Sequence, residues 1–224
     1  EVWDGNYQGV YHLSDNATNT TVEDSTSNTN NGTAQQNTNI MTTTGKIDGA
    51  LNFNGSSDYY RVSNIALAST SFTVEFWAKE TSFGADHFLF EQGPPYQDSQ
   101  LVIGFRSTNV FTIAFNYDDF NTTATYTDSN WHHWVATYDS SSKTRTVYRD
   151  GISQGGTGAT ASRQESGSGT IYIGAAPSYS SFFPGALEEL RISNTVRSAG
   201  WVATEYNNQS SPSTFYTVSS LANR

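Results

Sequence analysis

The chain has 224 residues, a net charge of −10 and no cysteine. Such an acidic surface repels phosphate backbones, which sets nucleic acid aside as a partner, and a chain without thiols has no disulfide staples. No stretch approaches the roughly 20 apolar residues of a membrane span and no leader is visible, so the reading is no membrane insertion and a mature domain cut from a longer chain.

Aromatic residues make up 14% of the chain and charged residues also 14%, so large rings build the core while Ser, Thr and Asn fill the turns and solvent faces. The first strand is expected at Gly9 to Leu13. The run Thr18 to Thr44 is polar and reads as one long loop, with a short strand near Gly32 to Gln35. Ala50 to Phe53 and Tyr59 to Val62 flank the turn signal Asn54-Gly55. Phe72 to Lys79 alternates, with Thr73, Glu75 and Trp77 on one face and Phe72, Val74, Phe76 and Ala78 on the other.

His87 to Gln92, Leu101 to Phe105 and Val110 to Phe115 are three further strands, followed by a loop over Asn116 to Phe120. Trp131 to Asp139 and Thr144 to Arg149 pair as a hairpin, and Asp150-Gly151 makes the next tight turn. Gly155 to Gly169 is a connection. Thr170 to Gly174 and Ala186 to Ser193 complete the strands. Ser198 to Asn207 is a short helix with Ser198 as its N-cap. Thr214 to Val218 is a closing strand or a linker. Many short strands with regular turn signals predict an all-β protein, a two-sheet antiparallel β-sandwich.

Five segments then resemble, in order, the laminin-G-like (concanavalin A-like) jelly-roll superfamily. They are Gly45-Lys46-Ile47-Asp48-Gly49-Ala50-Leu51-Asn52-Phe53-Asn54-Gly55, Ser71 to Trp77, Trp131-His132-His133-Trp134-Val135-Ala136-Thr137-Tyr138-Asp139, Tyr148-Arg149-Asp150-Gly151, and Phe183 to Ile192. In the last, Glu188-Glu189 stands where Asp-Glu is usual. These motifs cover about positions 45 to 195 of a single domain spanning 1–224, with 196–224 a closing segment or linker. The flanks, Val2-Trp3-Asp4 and Trp201 to Asn208, resemble those of bacterial and archaeal modular cell-surface proteins. The resemblance implies an extracellular, lectin-like module covalently joined to further domains, with a polysaccharide or cell-surface glycan as partner.

The residues themselves point away from catalysis. Retaining glycoside hydrolysis needs two carboxyls about 5.5 Å apart. Glu75 and Glu80 point to opposite faces of a regular strand, and so do the adjacent Glu188 and Glu189. Trp131 and Trp134 read as core residues, and His132 and His133 as hydrogen-bonded structural ones. A structural or adhesive spacer without sugar binding stays open beside the lectin reading, and convergence of distant residues keeps a hydrolase or lyase in view.

Sugar recognition needs rings for stacking and polar neighbours for hydroxyls. That chemistry sits in the loops, with Tyr96, Asp98, Tyr117, Asp119, Phe120 and Tyr179 as candidate ligand contacts. The run Asp24 to Gly32 places oxygen ligands at every second position, either as a solvated loop or as one ordered by calcium. The resemblance adds Glu188 or Glu189 as a carboxylate from the last strand, so a structural Ca2+ would rest on Asp24, Asn28, Glu188 and Glu189. It also marks Asp98 as a rim calcium position, although the loop Ala175-Ala176-Pro177-Ser178-Tyr179 lacks the carboxylate that pentraxin relatives place there.

Overall fold

A computed structural model describes residues 3–163 and 166–212. Two antiparallel sheets face each other. One runs in the order Ile152–Gln154, Thr144–Arg149, His132–Asp139, Phe72–Glu80, Pro184–Ser193, Gly49–Asn54 and Thr42–Thr44, with Tyr7–Tyr11 also pairing along Pro184–Ser193. The other runs Gly156–Thr157, Asp119–Thr125, Val110–Ala114, Leu101–Phe105, His87–Gln92, Ile171–Ile173, Tyr60–Val62, Gly32–Ala34 and Thr21–Val22. This is the predicted all-β sandwich.

The core follows from the side-chain alternation of each strand. Phe72, Val74, Phe76 and Ala78 all point between the sheets and join one buried cluster with Trp134, Phe111, Ile113 and Leu187. Phe111 and Trp134 stack across the two sheets at 4.2 Å between ring centroids, nearly parallel. Full burial of such rings supplies about 1.5–3 kcal/mol each. Trp131 is only half-buried, so the core reading holds for Trp134 alone of that pair.

The opposite face of Phe72–Glu80 is not open to solvent. Thr73, Glu75 and Trp77 are buried as well, beneath the helix Ala199–Ser210. Ser198 caps that helix as predicted, accepting a hydrogen bond from the Trp201 N–H at 3.2 Å. Val202 and Trp201 pack on Val135 and Tyr148, Tyr206 stacks on Trp77 at 5.9 Å, and the Trp77 indole N–H donates to Gln209 at 2.5 Å. The 8-stranded sheet is thus covered on both faces.

Three local readings change. The polar stretch from Thr18 to Thr44 is not without regular structure: it holds Thr21–Val22, Gly32–Ala34, a helical turn at Thr38–Met41 and Thr42–Thr44. Asp119–Thr125 is a strand where only a loop ending at Phe120 was expected. A bulge between Glu188 and Arg191 breaks the alternation of the last strand, with Glu189 in a left-handed conformation at φ 54°. Leu187, Leu190 and Ile192 stay in the core. Glu188 registers with Trp77 and Arg191 with Glu75, so Glu188 and Glu189 are both sent to the outer face rather than to opposite ones. The segment Thr214 to Val218 lies outside the described residues.

The bulge explains the Gly45-Lys46-Ile47-Asp48 turn. The Glu188 carboxylate accepts the backbone N–H groups of Lys46 at 2.5 Å, Ile47 at 2.9 Å and Asp48 at 2.7 Å. Successive N–H groups pointing at one anion form a backbone nest. Burial pushes the Glu188 carboxyl up, against the pull of those N–H groups. A Cβ at Gly45 would lie 2.6 Å from Glu188 Oε2, which is why only glycine fits there. Gly45→Ala is expected to push the carboxylate out of the nest and forfeit its charge-assisted hydrogen bonds, at about 1–3 kcal/mol. At about 2–4 °C per kcal/mol for a domain of this size, the fall in Tm is readable in a thermal scan.

Candidate ligand-binding site

Three connections meet at one end of the 9-stranded sheet, and their described residues are 93–100, 115–118, and 158–163 with 166–169. Gly93 opens the first at φ 94°, and a Cβ there would meet the Ser99 carbonyl at 2.1 Å. The Asp98 N–H donates to the Phe115 carbonyl at 2.9 Å. Asp118 joins the second connection to the third, accepting from the Ser162 N–H at 2.6 Å and its hydroxyl at 2.7 Å.

Arg145 holds this junction from below. It is 1% exposed, lies over the Phe115 ring, and donates to the Asp118 carbonyl at 2.5 Å, the Asp118 carboxylate at 2.7 Å and the Gly158 carbonyl at 2.5 Å. Burial of Asp118 opposes its ionisation, but the Ser162 hydrogen bonds and the Arg145 charge win and hold its carboxyl below the usual range. A planar guanidinium serves three acceptors in fixed directions, which a lysine does not.

The fixed loops present Asn116 and Tyr117, both in the left-handed region at φ 46° and 67°. Tyr117 is 85% exposed. Beside it opens a cavity of about 230 Å³ lined by Arg106, Asn116, Tyr117 and Asp119. Arg106 donates to Asp119 at 2.7 Å, lies 4.9 Å above the Phe88 ring and approaches Asp86 at 3.7 Å. Asp119 Oδ1 and the neighbouring Asn121 Oδ1 are buried acceptors without a hydrogen-bond partner. The site therefore combines an exposed ring with a guanidinium held in a fixed direction by its carboxylate partner.

The predicted contacts divide accordingly. Tyr117 and Asp119 line the cavity. Tyr96 is 69% exposed on the adjoining 93–100 connection. Phe120 is drawn into the core, because the strand that sends Asp119 outward must send its neighbour inward. Asp98 is buried, with Arg163 at 3.6 Å, so it is turned away from solvent rather than offered to a ligand. Tyr179 falls in the short turn Pro177–Tyr179, and its side chain lies outside the described residues. Arg106, Asn116 and Arg145 were missed. Arg106 finds its partners Asp86 and Asp119 only through the fold, and no spacing in the chain announces that.

The four oxygen donors expected around calcium go to three different places. Asp24 accepts from the N–H groups of Val10, Thr26 and Asn30 and from the Thr26 hydroxyl, at 2.8–3.0 Å. Asn28 spends its amide N–H on the Tyr7 carbonyl at 2.9 Å. Glu188 fills the nest described above. Glu189 meets His12 Nδ1 at 2.5 Å and Arg191 at 2.7 Å. Each carboxylate faces N–H or O–H donors, which a cation would have to displace, so this arrangement does not fit one shared calcium site. The hydrogen bonds converging on Asp24 also supply what the polar run needs to stay ordered.

His132 is a hydrogen-bonded residue, as read, whereas His133 is buried with Nδ1 unpartnered and Nε2 3.7 Å from Glu75. His132 bridges Asp128 and Asp150, both at 2.6 Å. Burial works against its protonation, but these two carboxylates outweigh it and raise its pKa. His133 is fully buried, and burial pushes it down to about 3. Asp150-Gly151 forms the expected tight turn, with φ 52° and 76°.

A family model, Laminin_G_3, described as the concanavalin A-like lectin/glucanases superfamily, matches residues 54–203. The chain belongs to this superfamily. Curated proteins give no sequence match. Among solved structures, domain 4 of AbnA, a GH43 extracellular arabinanase from Geobacillus stearothermophilus in complex with arabinotriose, superposes with a TM-score of 0.67 at 16% identity, covering 88% of this chain and 96% of that one. The binding domain of Paraclostridial Mosquitocidal Protein 1 gives 0.65 at 15% identity, over 91% of this chain and 52% of that one. Trypanosoma rangeli sialidase gives 0.68 at 16% identity, over 95% of this chain and 34% of that one. This laminin-G-like chain thus spans about half of the mosquitocidal binding domain and a third of the sialidase, and at these identities the likeness is one of fold. Among the described residues no helix is long and apolar enough to cross a membrane.

Proposed function

We propose that this laminin-G-like domain is a non-catalytic carbohydrate-binding module of a larger secreted or surface protein, and that the glycan rests on Tyr117 over the Arg106–Asp119 pair. The observation that carries this reading is the concavity itself. An 85% exposed ring stands beside a cavity holding a fixed guanidinium and its carboxylate partner. Sugar hydroxyls act as both donors and acceptors, and their C–H faces stack on rings, so a pyranose or furanose satisfies all three groups together. The arabinotriose-bound arabinanase domain, similar over nearly its whole length, supports the same reading.

A binding role without catalysis fits the placement of the carboxyls. Among the described residues the cavity is lined by one carboxylate, Asp119, already paired with Arg106, whereas glycoside hydrolysis uses two. Burial raises Glu75, Glu80, Glu91 and Glu188, but each belongs to a different setting. Glu80 is paired with His87 at 2.7 Å, Glu91 with the Ser178 hydroxyl at 2.7 Å, and Glu188 fills its nest.

Affinity electrophoresis against plant, algal and host polysaccharides tests the function. At least one should retard the native domain, and Tyr117→Ala should lose about tenfold or more of that affinity, the cost of one anchoring ring. No retardation across the panel would count against a lectin and for the spacer. Reducing-end release or unsaturated-product absorbance from the same polysaccharides would establish an enzyme instead.

A further inference from the structure

We infer that the domain carries a second saccharide site, for a neutral sugar unit, in the cleft between the segment Trp3 to His12 and the loop Ser25 to Asn28. The inference rests on the glycan-binding reading above and adds a site to it. The cleft encloses about 450 Å³, inside the range of about 300–1,000 Å³ typical of small-molecule sites. Trp3 and Tyr7 meet edge to face at 5.3 Å, and His12 stands 6.1 Å from Trp3. Two rings, an imidazole, hydroxyls and an amide therefore line one concavity, the same chemistry as the Tyr117 site drawn from other elements.

Both walls are fixed without any ligand. Arg197 clamps Asp4 through two hydrogen bonds, at 2.7 and 3.0 Å, and lies over the Tyr7 ring. Arg191 lies 4.9 Å from the Trp3 ring on its way to Glu189 and Glu205. Asn28 ties the loop to the Tyr7 carbonyl, and Asp24 holds the loop's own backbone. A site built this way loses little conformational freedom on binding.

The charges decide the ligand class. Asp4 is matched by Arg197, and Glu189 by Arg191 and His12, so among the described residues no cation is left over for an acidic sugar. The net charge of −10 adds a general repulsion of polyanions. Recognition falls to hydroxyl hydrogen bonds and ring stacking, and a neutral sugar provides both. Two sites on separate elements would let one domain hold a polysaccharide at two points, raising avidity without tighter single contacts.

Calorimetric titration of the intact domain with neutral trisaccharides (arabinotriose, xylotriose and cellotriose) tests the site. At least one should fill two sites per chain. Trp3→Ala should reduce this to one, and so should Ser25→Trp, which fills the cleft while leaving the aromatic floor in place. Tyr117→Ala should also leave one site, and Trp3→Ala with Tyr117→Ala should leave none, with Tm checked for each. A single site that Tyr117→Ala removes and Ser25→Trp spares would overturn the second site and keep the proposed function. No binding by any of the three sugars would overturn the second site, and silence in the polysaccharide panel as well would take the function with it. A galacturonic acid trimer that competes for the cleft would overturn the assignment to neutral sugars.

Discussion

Arg145→Met is expected to cost about 3–5 kcal/mol, the penalty for removing one member of a buried charged pair. The guanidinium serves two backbone carbonyls and the Asp118 carboxylate, and its loss removes a charged donor from each, leaving Asp118 with the Phe115 N–H on its carbonyl and Ser162 on its carboxylate. Methionine keeps the hydrophobic contact with Phe115 and supplies no N–H. Chemical denaturation should therefore show the loss, with Tm lower by about 2–4 °C per kcal/mol. Glycan affinity should fall with it, because the left-handed pair Asn116 and Tyr117 directly precedes Asp118, which Arg145 anchors. Arg145→Lys should rescue little, since an ammonium has no planar fork for three divergent acceptors. A lysine variant with native stability and affinity would contradict this role.

Stability should also fall as the solution turns alkaline, through Glu75. Burial pushes its carboxyl from 4.5 up to about 8, and Arg191, at 3.7 Å, only partly offsets this. Both of its oxygens lack hydrogen-bond partners. A group whose folded pKa lies above its unfolded one contributes stability below pH 4.5 that is lost as pH rises through 8. His133, 3.7 Å away, behaves oppositely. Its folded pKa of about 3 lies below 6.5, so stability is lost as pH falls through that window.

Between pH 4.5 and 6.5 the two effects cancel, because folding in effect moves one proton from His133 to Glu75. Above pH 6.5 only Glu75 of the pair remains, and the decline to pH 8 and beyond is on the order of a few kcal/mol. His12 and His132, both raised by carboxylate partners, add a decline of the same sign. Glu75→Gln cannot ionise and should remove the Glu75 share alone. The difference between wild-type and variant Tm should be smallest near pH 4.5, reach several degrees by pH 6 and grow to about 10 °C or more by pH 9, at about 2–4 °C per kcal/mol. Parallel curves would contradict a protonated, buried Glu75.

The two residues that carry these effects show what a chain alone reveals. The alternation of Phe72 to Ala78 announced the core face, and Ser198 announced the helix start, because both signals are local. That Thr73, Glu75 and Trp77 would also be buried was not legible, since it depends on where the helix Ala199–Ser210 lands. The same holds for the nest around Glu188, whose partners lie 140–142 residues away. The strand Asp119–Thr125 escaped notice because its Asn and Thr residues match those of the surrounding loops. At the site, Tyr117 and Asp119 were legible as loop aromatics and acids, whereas Arg106 and Arg145 act through pairings that only the folded sheet creates.

The central claim is that a glycan rests on Tyr117 over Arg106 and Asp119. Amide chemical-shift mapping of the labelled domain, titrated with an oligosaccharide of the polysaccharide that retards it most, tests this most directly. The account predicts progressive, saturable shifts at Arg106, Asn116, Tyr117 and Asp119, absent in Tyr117→Ala. Saturable binding that leaves those four amides unmoved would contradict it.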